Sequence, residues 1–338
     1  MTTPKPMKAI LFTDSLTTTY TSPAPVTSLV LTSQPVPIPS PTHHLIRIHG
    51  TAITPYELSW PTAEFPHPEP RIPCHDTAGT IVSSPPGSPF QPGDRVFSLL
   101  PFIGQGGMAE YAVAESQFLA KIPEGMSWVE AASVPRASLT SWQALKVRGG
   151  GYAKPGMSVL ITGATGAVGR MGVQIAKELV GKDGKVVAVG GVGSVALTAL
   201  GADVVVNYRN EKHWEKVVTK EGLVDVVYDC LGGETLERVI SLVKDNGRIV
   251  TIGSPPPDWG ALPGWKEADE RGVKGEFFIL EESGEQLSEI AGMWVRGKIK
   301  TSVGLVVDHF SEASVREGWT RGLKGGLAGS VVVKVCEE

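Results

Sequence analysis

Five short apolar runs, rich in Val and Ile and separated by segments with helical spacing, constrain the fold of this chain more than any other feature. The runs lie at residues 158–162, 185–189, 203–207, 224–229 and 247–252. Continuous apolar runs are typical of strands buried on both faces of a parallel sheet, and the alternation of strand and helix predicts right-handed crossovers. After the first run, one apolar helical stripe is formed by Val168, Met171, Gly172, Ile175 and Leu179. The sequence therefore predicts a doubly wound α/β domain with a parallel sheet.

A glycine-rich turn joins the first run to the first helix. Residues 163–169 read Gly-Ala-Thr-Gly-Ala-Val-Gly. Gly166 would let the backbone approach a pyrophosphate, Gly169 would let the helix pack closely on the strand, and the helix N-terminus offers free N–H groups and a positive dipole end. Ala164 stands where the usual fingerprint has its first glycine, so the turn alone also fits an ordinary strand–helix connection. Within the repeated strands it predicts a dinucleotide site at Ala164, Thr165, Gly166, Ala167 and Val168.

The end of the second run indicates which dinucleotide would bind. An NAD site usually carries Asp or Glu there to bind the ribose 2′-hydroxyl, whereas an NADP site lacks this carboxylate, which would repel the 2′-phosphate. Residues 189–194 read Val-Gly-Gly-Val-Gly-Ser, and Asp183 lies before the strand, at its other end. The sequence predicts NADPH as the cofactor, bound beside Gly190, with the 2′-phosphate resting on Ser194, Tyr208 and Arg209.

The first 150 residues have a different character, which suggests a second domain. They hold most of the prolines and short alternating segments such as 45–49 and 80–82, a pattern typical of short strands joined by tight loops. The 338 residues are enough for two domains. A final strand-like segment at 331–335 could return to complete the β-rich domain.

Composition and charge exclude several classes of protein. With 41% hydrophobic residues, 20% charged residues and a net charge of −4, the chain is unlike a disordered protein and has no basic excess for nucleic acid. Its three widely spaced cysteines cannot form a disulfide framework or a four-thiolate zinc site. We found no membrane span of roughly 18 apolar residues and no targeting signal, and expect a cytoplasmic protein without a membrane partner.

Nine landmark segments extend along nearly the whole chain, at residues 72–79, 90–97, 106–111, 131–135, 139–145, 163–169, 200–203, 228–233 and 247–253. Together they resemble the medium-chain dehydrogenase/reductase superfamily, in its zinc-independent quinone oxidoreductase branch. The resemblance implies a GroES-like β-rich catalytic domain of residues 1–135 and 276–338. It implies a Rossmann domain of residues 136–275, with a cleft where nicotinamide meets a small-molecule substrate. Relatives commonly pair through the edge of the Rossmann sheet, so we expect a homodimer.

The resemblance also implies further cofactor contacts, at Thr140, Leu231, Gly253 and Phe278. Thr140 resembles the threonine that touches the cofactor at the domain junction. Phe278 resembles the residue whose backbone and ring lie beside the nicotinamide. Leu231 and Gly253 belong to the landmark segments that follow two of the predicted strands.

Family members of the alcohol dehydrogenase type hold a catalytic zinc with two thiolates and a histidine. His75 matches the position of the histidine, but Thr54 stands in the region of the first thiolate and residues 135–140 supply no second one. Because a catalytic zinc requires about three protein ligands, we expect no metal here. Without that Lewis acid, reversible alcohol oxidation loses its main source of catalysis.

Reduction of an already activated acceptor is then the expected reaction. A quinone or an α,β-unsaturated carbonyl accepts hydride at a conjugated carbon, and the protein supplies orientation and at most a proton. Tyr56, in the segment that lines the cleft in the family, is the candidate proton donor. A packing or loop role explains a tyrosine there at least as well. His67 is a weaker candidate, in a loop.

Arg136 and three tryptophans bear on the substrate. Relatives usually carry an apolar residue at position 136, and a buried arginine is costly unless it is paired. Arg136 could therefore anchor a carbonyl or an anion, or it could form an ion pair with a carboxylate at a helix start. Trp60, Trp259 and Trp265 lie in segments that could border the cleft, which suggests an aromatic or bulky apolar substrate.

Three functions remain open from the sequence. The first is an NADPH-dependent reductase of quinones or other α,β-unsaturated carbonyls, and the second is an enoyl reductase acting on a carrier-bound or secondary-metabolite intermediate. The third is a non-catalytic NADPH-binding scaffold. This alternative stays open because few candidate catalytic residues are present and because Ser330 stands where relatives commonly have Lys. A carrier-bound substrate would favour a basic entrance, so the places of Arg71, Arg136 and Arg148 discriminate between the first two.

Overall fold

The computed structural model describes residues 6–13, 18–19, 22–61, 71–254, 256 and 258–337. The amino-terminal part is rich in strands, as predicted from its prolines and alternating segments. A two-stranded antiparallel ribbon precedes five strands of a larger sheet. In chain order these strands are β1 (Met7–Phe12), β2 (Leu29–Gln34), β3 (His43–Ile53), β4 (Asp76–Ser83), β5 (Arg95–Leu99), β6 (Tyr111–Glu115) and β7 (Leu119–Lys121).

Two helices lead from this region into the second domain. The first, α1 (Trp128–Ala132), begins with a capping box between Ser127 and Glu130. The second, α2 (Pro135–Trp142), has Pro at its first position, where the missing N–H costs no helical hydrogen bond. It continues as a single π-helical turn, Gln143–Val147.

The predicted doubly wound domain is confirmed. Its six strands are β8 (Ser158–Ile161), β9 (Lys185–Gly190), β10 (Val204–Asn207), β11 (Val224–Asp229), β12 (Val243–Thr251) and β13 (Lys274–Phe277). All neighbours pair in parallel, in the order β10-β9-β8-β11-β12-β13. After β8 the chain adds β9 and β10 on one side of the sheet, and after β11 it adds β12 and β13 on the other side. The topological switch therefore lies between β8 and β11, where open α/β sheets bind their ligands at the carboxyl ends of the strands.

Helices cover both faces of this sheet, as parallel strands require. They are α3 (Ala167–Val180), α4 (Trp214–Glu221), α5 (Gly233–Val239) and α6 (Trp265–Glu270). A further helix, α7 (Gly284–Val295), packs against α2 and β7. On one face, Met171 and Ile175 of α3 are buried in the same apolar cluster as Val159 and Ile161 of β8. The predicted apolar stripe of this helix does face the sheet and α2, with Val168 and Leu179 half-buried at its margin.

The carboxyl-terminal segment returns to the first domain, as expected. Strands β14 (Val303–Val307) and β15 (Ser330–Lys334) flank helix α8 (Glu312–Leu323). β15 pairs with β3, so the larger sheet has the order β14-β15-β3-β4-β5-β7, with β6 also on β3. One boundary needs correction, because β13 belongs to the six-stranded sheet through Phe277. The division placed at residue 276 would cut this strand, and the Rossmann sheet ends after it.

Among the residues that the structure describes, no helix is both long enough and apolar enough to cross a membrane.

Gly169→Ala tests whether the stability of the fold depends on the close packing of α3 against the turn that follows β8. Alanine in a helix interior usually stabilises by about 0.5–1 kcal/mol over glycine. A Cβ at position 169 would, however, lie 2.3 Å from the carbonyl oxygen of Gly163 and 2.6 Å from Cα of Ala164. Because both are backbone atoms, we expect a net loss of about 1–3 kcal/mol, measured as a lower thermal unfolding midpoint.

Gly292→Ala in α7 is the matched control. The nearest atom to a Cβ there is Nη1 of Arg296 at 3.0 Å, the end of a flexible side chain that can move away. We expect this variant to be as stable as the wild type or slightly more stable. Equal stability of the two variants would contradict the close approach.

Candidate functional site

A buried carboxylate organises the carboxyl edge of the Rossmann sheet at its switch point. Asp229, the last residue of β11, is fully buried. Its oxygens accept hydrogen bonds from the hydroxyl of Thr162 after β8, from the hydroxyl of Thr251 in β12 at 2.8 Å, and from the Gly232 amide at 2.8 Å. The amide of Leu231 donates to the same carboxylate at 3.3 Å. One side chain thus fixes the ends of three neighbouring strands.

The glycine-rich turn after β8 has the conformation that a phosphate site requires. Gly163 adopts φ +58°, and Ala164 donates its N–H to the carbonyl of Val189 at 3.0 Å. Gly166 is the N-cap of α3 and carries no side chain that could occupy the helix terminus. The first N–H groups of α3, including those of Ala167 and Val168, have no acceptor within the helix. They are available to a phosphate oxygen.

The loop after β9 lies directly beside this turn. A Cβ on Gly190 would come within 2.6 Å of Cγ2 of Thr165, and one on Gly191 within 2.7 Å of the Tyr208 hydroxyl. The structure therefore brings Thr165, Gly190 and Tyr208 together at one edge. Ser194 follows in the same loop but is only 4% exposed.

The proposed contacts to a 2′-phosphate consequently differ in accessibility. Tyr208 and Arg209 are exposed, whereas Ser194 is buried at the start of a short 3-10 helix. The amide of Arg209 donates to Oδ1 of Asn207 at 3.0 Å, which holds the turn after β10. An anion at this edge would meet Tyr208 and Arg209 first.

Three further predicted contacts follow β11, β12 and β13. A Cβ on Gly253 would lie 2.2 Å from the carbonyl carbon of Leu231, so these loops touch backbone to backbone. Leu231 itself is half-exposed. Phe278, just after β13, is buried, with the Arg148 guanidinium 5.0 Å from its ring centre.

The two domains meet at α2 and at the segment after β13. Thr140 of α2 is buried, and its hydroxyl donates to the carbonyl of Arg136 at 2.6 Å. Gln143 exchanges two hydrogen bonds with the backbone of Glu281, at 2.7 and 2.9 Å. The amide of Phe102, in the β-rich domain, donates to Glu282 at 3.2 Å. Phe102 and Phe278 accordingly share one apolar cluster.

A buried charged group lies in the β-rich domain, next to Phe102. Glu57, Arg71 and His75 are all fully buried. Nη2 of Arg71 lies 2.7 Å from Oε1 of Glu57, and Nε2 of His75 lies 3.5 Å from the same oxygen. The Cys74 amide also donates to this carboxylate, at 3.0 Å. The His75 ring packs edge-to-face on Phe102, with 5.2 Å between ring centres.

Burial alone would raise the pKa of Glu57, but its neighbours overcome this effect. The Arg71 guanidinium, the His75 imidazole and the Cys74 amide lower the pKa of Glu57 from its usual 4.5 to about 2. Burial and the nearby Glu57 charge instead raise the pKa of the Cys74 thiol well above its usual value. At neutral pH this group therefore contains a carboxylate, a guanidinium and a neutral thiol.

Arg136 forms the ion pair that was one of its two predicted roles. Oδ1 of Asp76 accepts the Arg136 amide at 2.6 Å, and Oδ2 accepts Nε at 3.1 Å together with Nη2. The same carboxylate thus caps the start of α2 and neutralises the guanidinium. This pairing favours the structural role, and contact of Arg136 with a substrate stays a prediction.

The three tryptophans considered as substrate contacts lie in two different parts of the structure. Trp60 packs edge-to-face on Phe102, at 5.3 Å between ring centres, and so lies beside the His75 group. Trp265 and Trp259 contact each other at 4.6 Å and pack against the apolar cluster on the opposite face of the Rossmann sheet from α3. The expectation that Trp265 borders the cleft is therefore wrong, because it packs on the face of the sheet opposite α3.

Tyr56 is 68% exposed, on the short 3-10 helix Pro55–Ser59. Its neighbour Glu57 points into the core, so the two side chains leave the helix in different directions. Its role as a proton donor stays a prediction. His67 lies outside the described residues.

Two buried groups were not identified from the sequence, the Asp229 carboxylate and the ion pair of Glu57 with Arg71. Asp229 ends an apolar strand, and a carboxylate at the carboxyl end of a buried parallel strand is a signal that could have been read. Glu57 and Arg71 are fourteen positions apart in a proline-rich stretch, and no periodicity relates them. Only the fold brings them into contact.

Glu57→Gln tests the buried ion pair through pH. Because the folded pKa of Glu57 is lowered to about 2, its stabilising contribution is complete above the unfolded pKa of 4.5 and is lost as pH falls towards 2. We expect the variant to lose about 3–5 kcal/mol at pH 7 and to show a flatter decline in stability between pH 5 and 2. Urea unfolding at several pH values measures both effects.

Glu57→Gln combined with Arg71→Met is the control, because it removes both charges rather than leaving one unpaired. It should recover part of the lost stability. A single variant as stable as the wild type at pH 7 would contradict the ion pair.

Arg136→Leu separates a structural role from a substrate role. Losing the partner of Asp76 should lower stability by about 3 kcal/mol, while KM for a quinone acceptor stays within about twofold of the wild type. Thermal unfolding and steady-state kinetics measure the two quantities. Lys121→Leu, which breaks the exposed pair with Asp94, should change stability by less than about 1 kcal/mol. A raised KM with unchanged stability would restore the substrate role.

Comparisons with known proteins agree with this architecture. Residues 40–124 match the family model of the alcohol dehydrogenase GroES-like domain, and residues 200–333 match that of the zinc-binding dehydrogenases. The chain is 34% identical over 323 residues to a probable zinc-binding oxidoreductase, mitochondrial, of Arthroderma benhamiae, covering 92% of this chain and 94% of that protein.

Two other similarities extend over similar lengths. The chain is 28% identical over 313 residues to a chloroplast envelope quinone oxidoreductase homolog of Arabidopsis thaliana, covering 89% of this chain and 92% of that one. The solved structure of an NAD-dependent alcohol dehydrogenase superimposes with a TM-score of 0.83 at 26% identity, covering 98% of this chain and 100% of its own.

Some of these names refer to zinc, but the residues around His75 do not fit a catalytic zinc site. Nε2 of His75 faces the Glu57 carboxylate, which already holds Arg71, and the Cys74 thiol has a raised pKa. In the described parts of the chain, no three His, Cys, Asp or Glu side chains are grouped so that they could hold a metal ion. The histidine position is thus present without the partners that zinc needs.

The carboxyl edge of the Rossmann sheet does fit a nicotinamide dinucleotide. Its glycine turn leaves the N-terminus of α3 open, and Asp229 fixes the loops around it. The fold, the edge geometry and a relative of 34% identity over nearly the whole length agree. The chain belongs to the medium-chain dehydrogenase/reductase superfamily, in its quinone oxidoreductase-like branch, an oxidoreductase family that binds a nicotinamide cofactor.

Proposed function

We propose that this protein is an NADPH-dependent, zinc-independent reductase that transfers a hydride to a quinone or another α,β-unsaturated carbonyl. The observation that carries the proposal is the closed group of Glu57, Arg71 and His75. His75 matches the position of the histidine ligand in alcohol dehydrogenase-type members of the family, but its Nε2 faces the Glu57 carboxylate, which forms an ion pair with Arg71. A site without a Lewis acid suits an acceptor that is already activated by conjugation.

The choice of NADPH is supported by the loop after β9. Residues 190–194 carry no carboxylate that would repel a 2′-phosphate. Tyr208 and Arg209 are exposed beside this loop and offer a hydroxyl and a guanidinium. Arg209 suits a phosphate group because its planar fork can donate two hydrogen bonds.

When bound, the nicotinamide supplies the hydride. The chain's own residues would orient the acceptor and exclude water from it. Trp60 is half-buried and packs on the buried Phe102 near the domain junction, and its exposed face suits a flat conjugated ring. Oγ1 of Thr54 and Nδ1 of His75 are buried without a hydrogen-bond partner among the described residues. These atoms are candidates to bond a carbonyl oxygen, and Tyr56 remains the candidate donor of the proton.

The enoyl reductase of a carrier-bound substrate is the weaker candidate. A phosphopantetheine arm would require free cations at the entrance, yet each of the three arginines considered for this role is paired. Arg71 pairs with Glu57, Arg136 with Asp76, and Arg148 with Glu276. These pairings favour a small free acceptor. A non-catalytic scaffold would be supported by NADPH binding without turnover of any quinone or enone.

The Rossmann sheet has an edge through which two copies of the chain would pair in the proposed homodimer. β13 is the last strand of the six-stranded sheet and presents an open row of backbone donors and acceptors. Pairing of two such edges would extend the sheet across the dimer. Light scattering during size-exclusion chromatography measures this directly, and a mass near 35.8 kDa would indicate a monomer.

A direct assay tests the cofactor and the metal together. We expect the purified protein to oxidise NADPH faster than NADH with a small quinone or an α,β-unsaturated ketone, and to keep its rate after treatment with EDTA. Loss of activity in EDTA that zinc restores would contradict the proposal. Binding of NADPH without turnover of any acceptor would favour the scaffold.

Arg209→Ala tests whether Arg209 contributes to the preference for NADPH over NADH. Loss of the guanidinium should raise KM for NADPH by about tenfold and leave KM for NADH unchanged. Lys212→Ala is the matched control, because Lys212 is an exposed cation in the same turn. Equal effects of Arg209→Ala on both cofactors would show that Arg209 does not bind the 2′-phosphate.

A further inference from the structure

Arg170 is a half-buried cation that the fold leaves incompletely paired. It lies in the second turn of α3, and its amide donates to the carbonyl of the N-cap residue Gly166 at 2.9 Å. Its Nε donates to the hydroxyl of Ser302 at 3.0 Å. Its Nη1 is buried and has no hydrogen-bond partner among the described residues. No described carboxylate lies within ion-pair distance of this guanidinium.

Such an arrangement is costly in the isolated protein. A guanidinium always carries its charge, and a buried donor without an acceptor costs free energy. The loss of hydration upon burial also lowers the pKa of Arg170. The side chain that Arg170 contacts, that of Ser302, is neutral. An anionic ligand beside this guanidinium would offset the cost.

The surroundings of Arg170 lie at the proposed cofactor site. Ser302 accepts the Ser330 amide on its carbonyl at 2.9 Å, and a Cβ on Gly329 would lie 2.2 Å from that carbonyl. The segment that contains Gly329 also reaches the loop after β9, since a Cβ on Gly193 would lie 3.8 Å from Cβ of Ala328. This segment therefore extends from the partner of Arg170 to the loop beside the glycine turn.

The direction of the side chain completes the argument. Long side chains on a helix lean towards its N-terminus, and for Arg170 this is the end with Gly166 and the open N–H groups of α3. That terminus is where a dinucleotide places its diphosphate. We infer that Arg170 binds the diphosphate of the nicotinamide dinucleotide, adding a charged donor from beneath the C-terminal segment to the amides of the glycine turn.

This inference rests on the cofactor site of the proposed function but not on its acceptor. The test is therefore a binding measurement, a fluorescence titration of NADPH, NADH and ADP-ribose without any acceptor present. Arg170→Gln should weaken all three by a similar factor, about tenfold or more, because all three carry the diphosphate. It should also make the dissociation constant less sensitive to salt, since one charge pair is removed. Arg170→Lys, which keeps the charge, should retain most of the affinity.

Gln174→Ala is the matched control for a purely structural role. Gln174 lies one turn further along α3 and exchanges hydrogen bonds of 3.1 and 2.7 Å with the backbone of Lys300, without a charge. This variant should lower the thermal unfolding midpoint and leave the three dissociation constants and their salt dependence within about twofold of the wild type.

Several outcomes would overturn the inference. Wild-type affinity of Arg170→Gln for NADPH and NADH is one. A loss confined to NADPH is another, because it would assign Arg170 to the 2′-phosphate. An equal loss in Gln174→Ala would show a structural effect. Wild-type protein that binds dinucleotide but reduces no acceptor would contradict the reductase and leave this inference standing, whereas no dinucleotide binding would overturn both.

Discussion

The architecture of the candidate site depends on one buried carboxylate, that of Asp229. It ends the strand next to the topological switch and receives hydrogen bonds from Thr162, Thr251 and two amides of the following loop. A buried carboxylate is tolerated only when its oxygens are satisfied. Because the donors come from three strands, satisfying Asp229 also fixes where those strands end. The glycine turn, the Leu231 loop and Gly253 consequently form one surface rather than three independent loops.

A second constraint operates where the β-rich domain meets this surface. Asp76 caps α2 and pairs with Arg136, while Glu57 holds Arg71 beside His75. Buried ion pairs add little net stability compared with apolar packing, but removal of one partner is severe. Their consequence here is chemical, because the Glu57 carboxylate beside His75 is already paired with Arg71. The proposed site would therefore supply orientation, apolar contacts and a few buried hydrogen-bonding atoms without a partner, which suits an acceptor that needs little activation.

Much of the fold could be predicted, because local patterns determine it. The apolar runs gave the parallel strands, and the spacing of Met171 and Ile175 gave the buried face of α3. The site was less predictable, since its contacts join distant positions. Arg136 had two possible roles because its partner, Asp76, lies sixty residues earlier. Trp265 was misplaced because an aromatic residue in a proline-rich loop does not reveal which face of the sheet it will cover. Arg170 could not be singled out because its partner, Ser302, lies 132 residues later.

The fate of the transferred hydride tests the central claim most directly. Protein treated with EDTA would be incubated with NADPH deuterated at C4 of the nicotinamide and with an α,β-unsaturated ketone, and the product would be analysed by NMR. We predict deuterium on the β carbon and a solvent proton on the α carbon, with the carbonyl intact. Deuterium on the carbinol carbon of an alcohol product would show direct carbonyl reduction and would contradict this account.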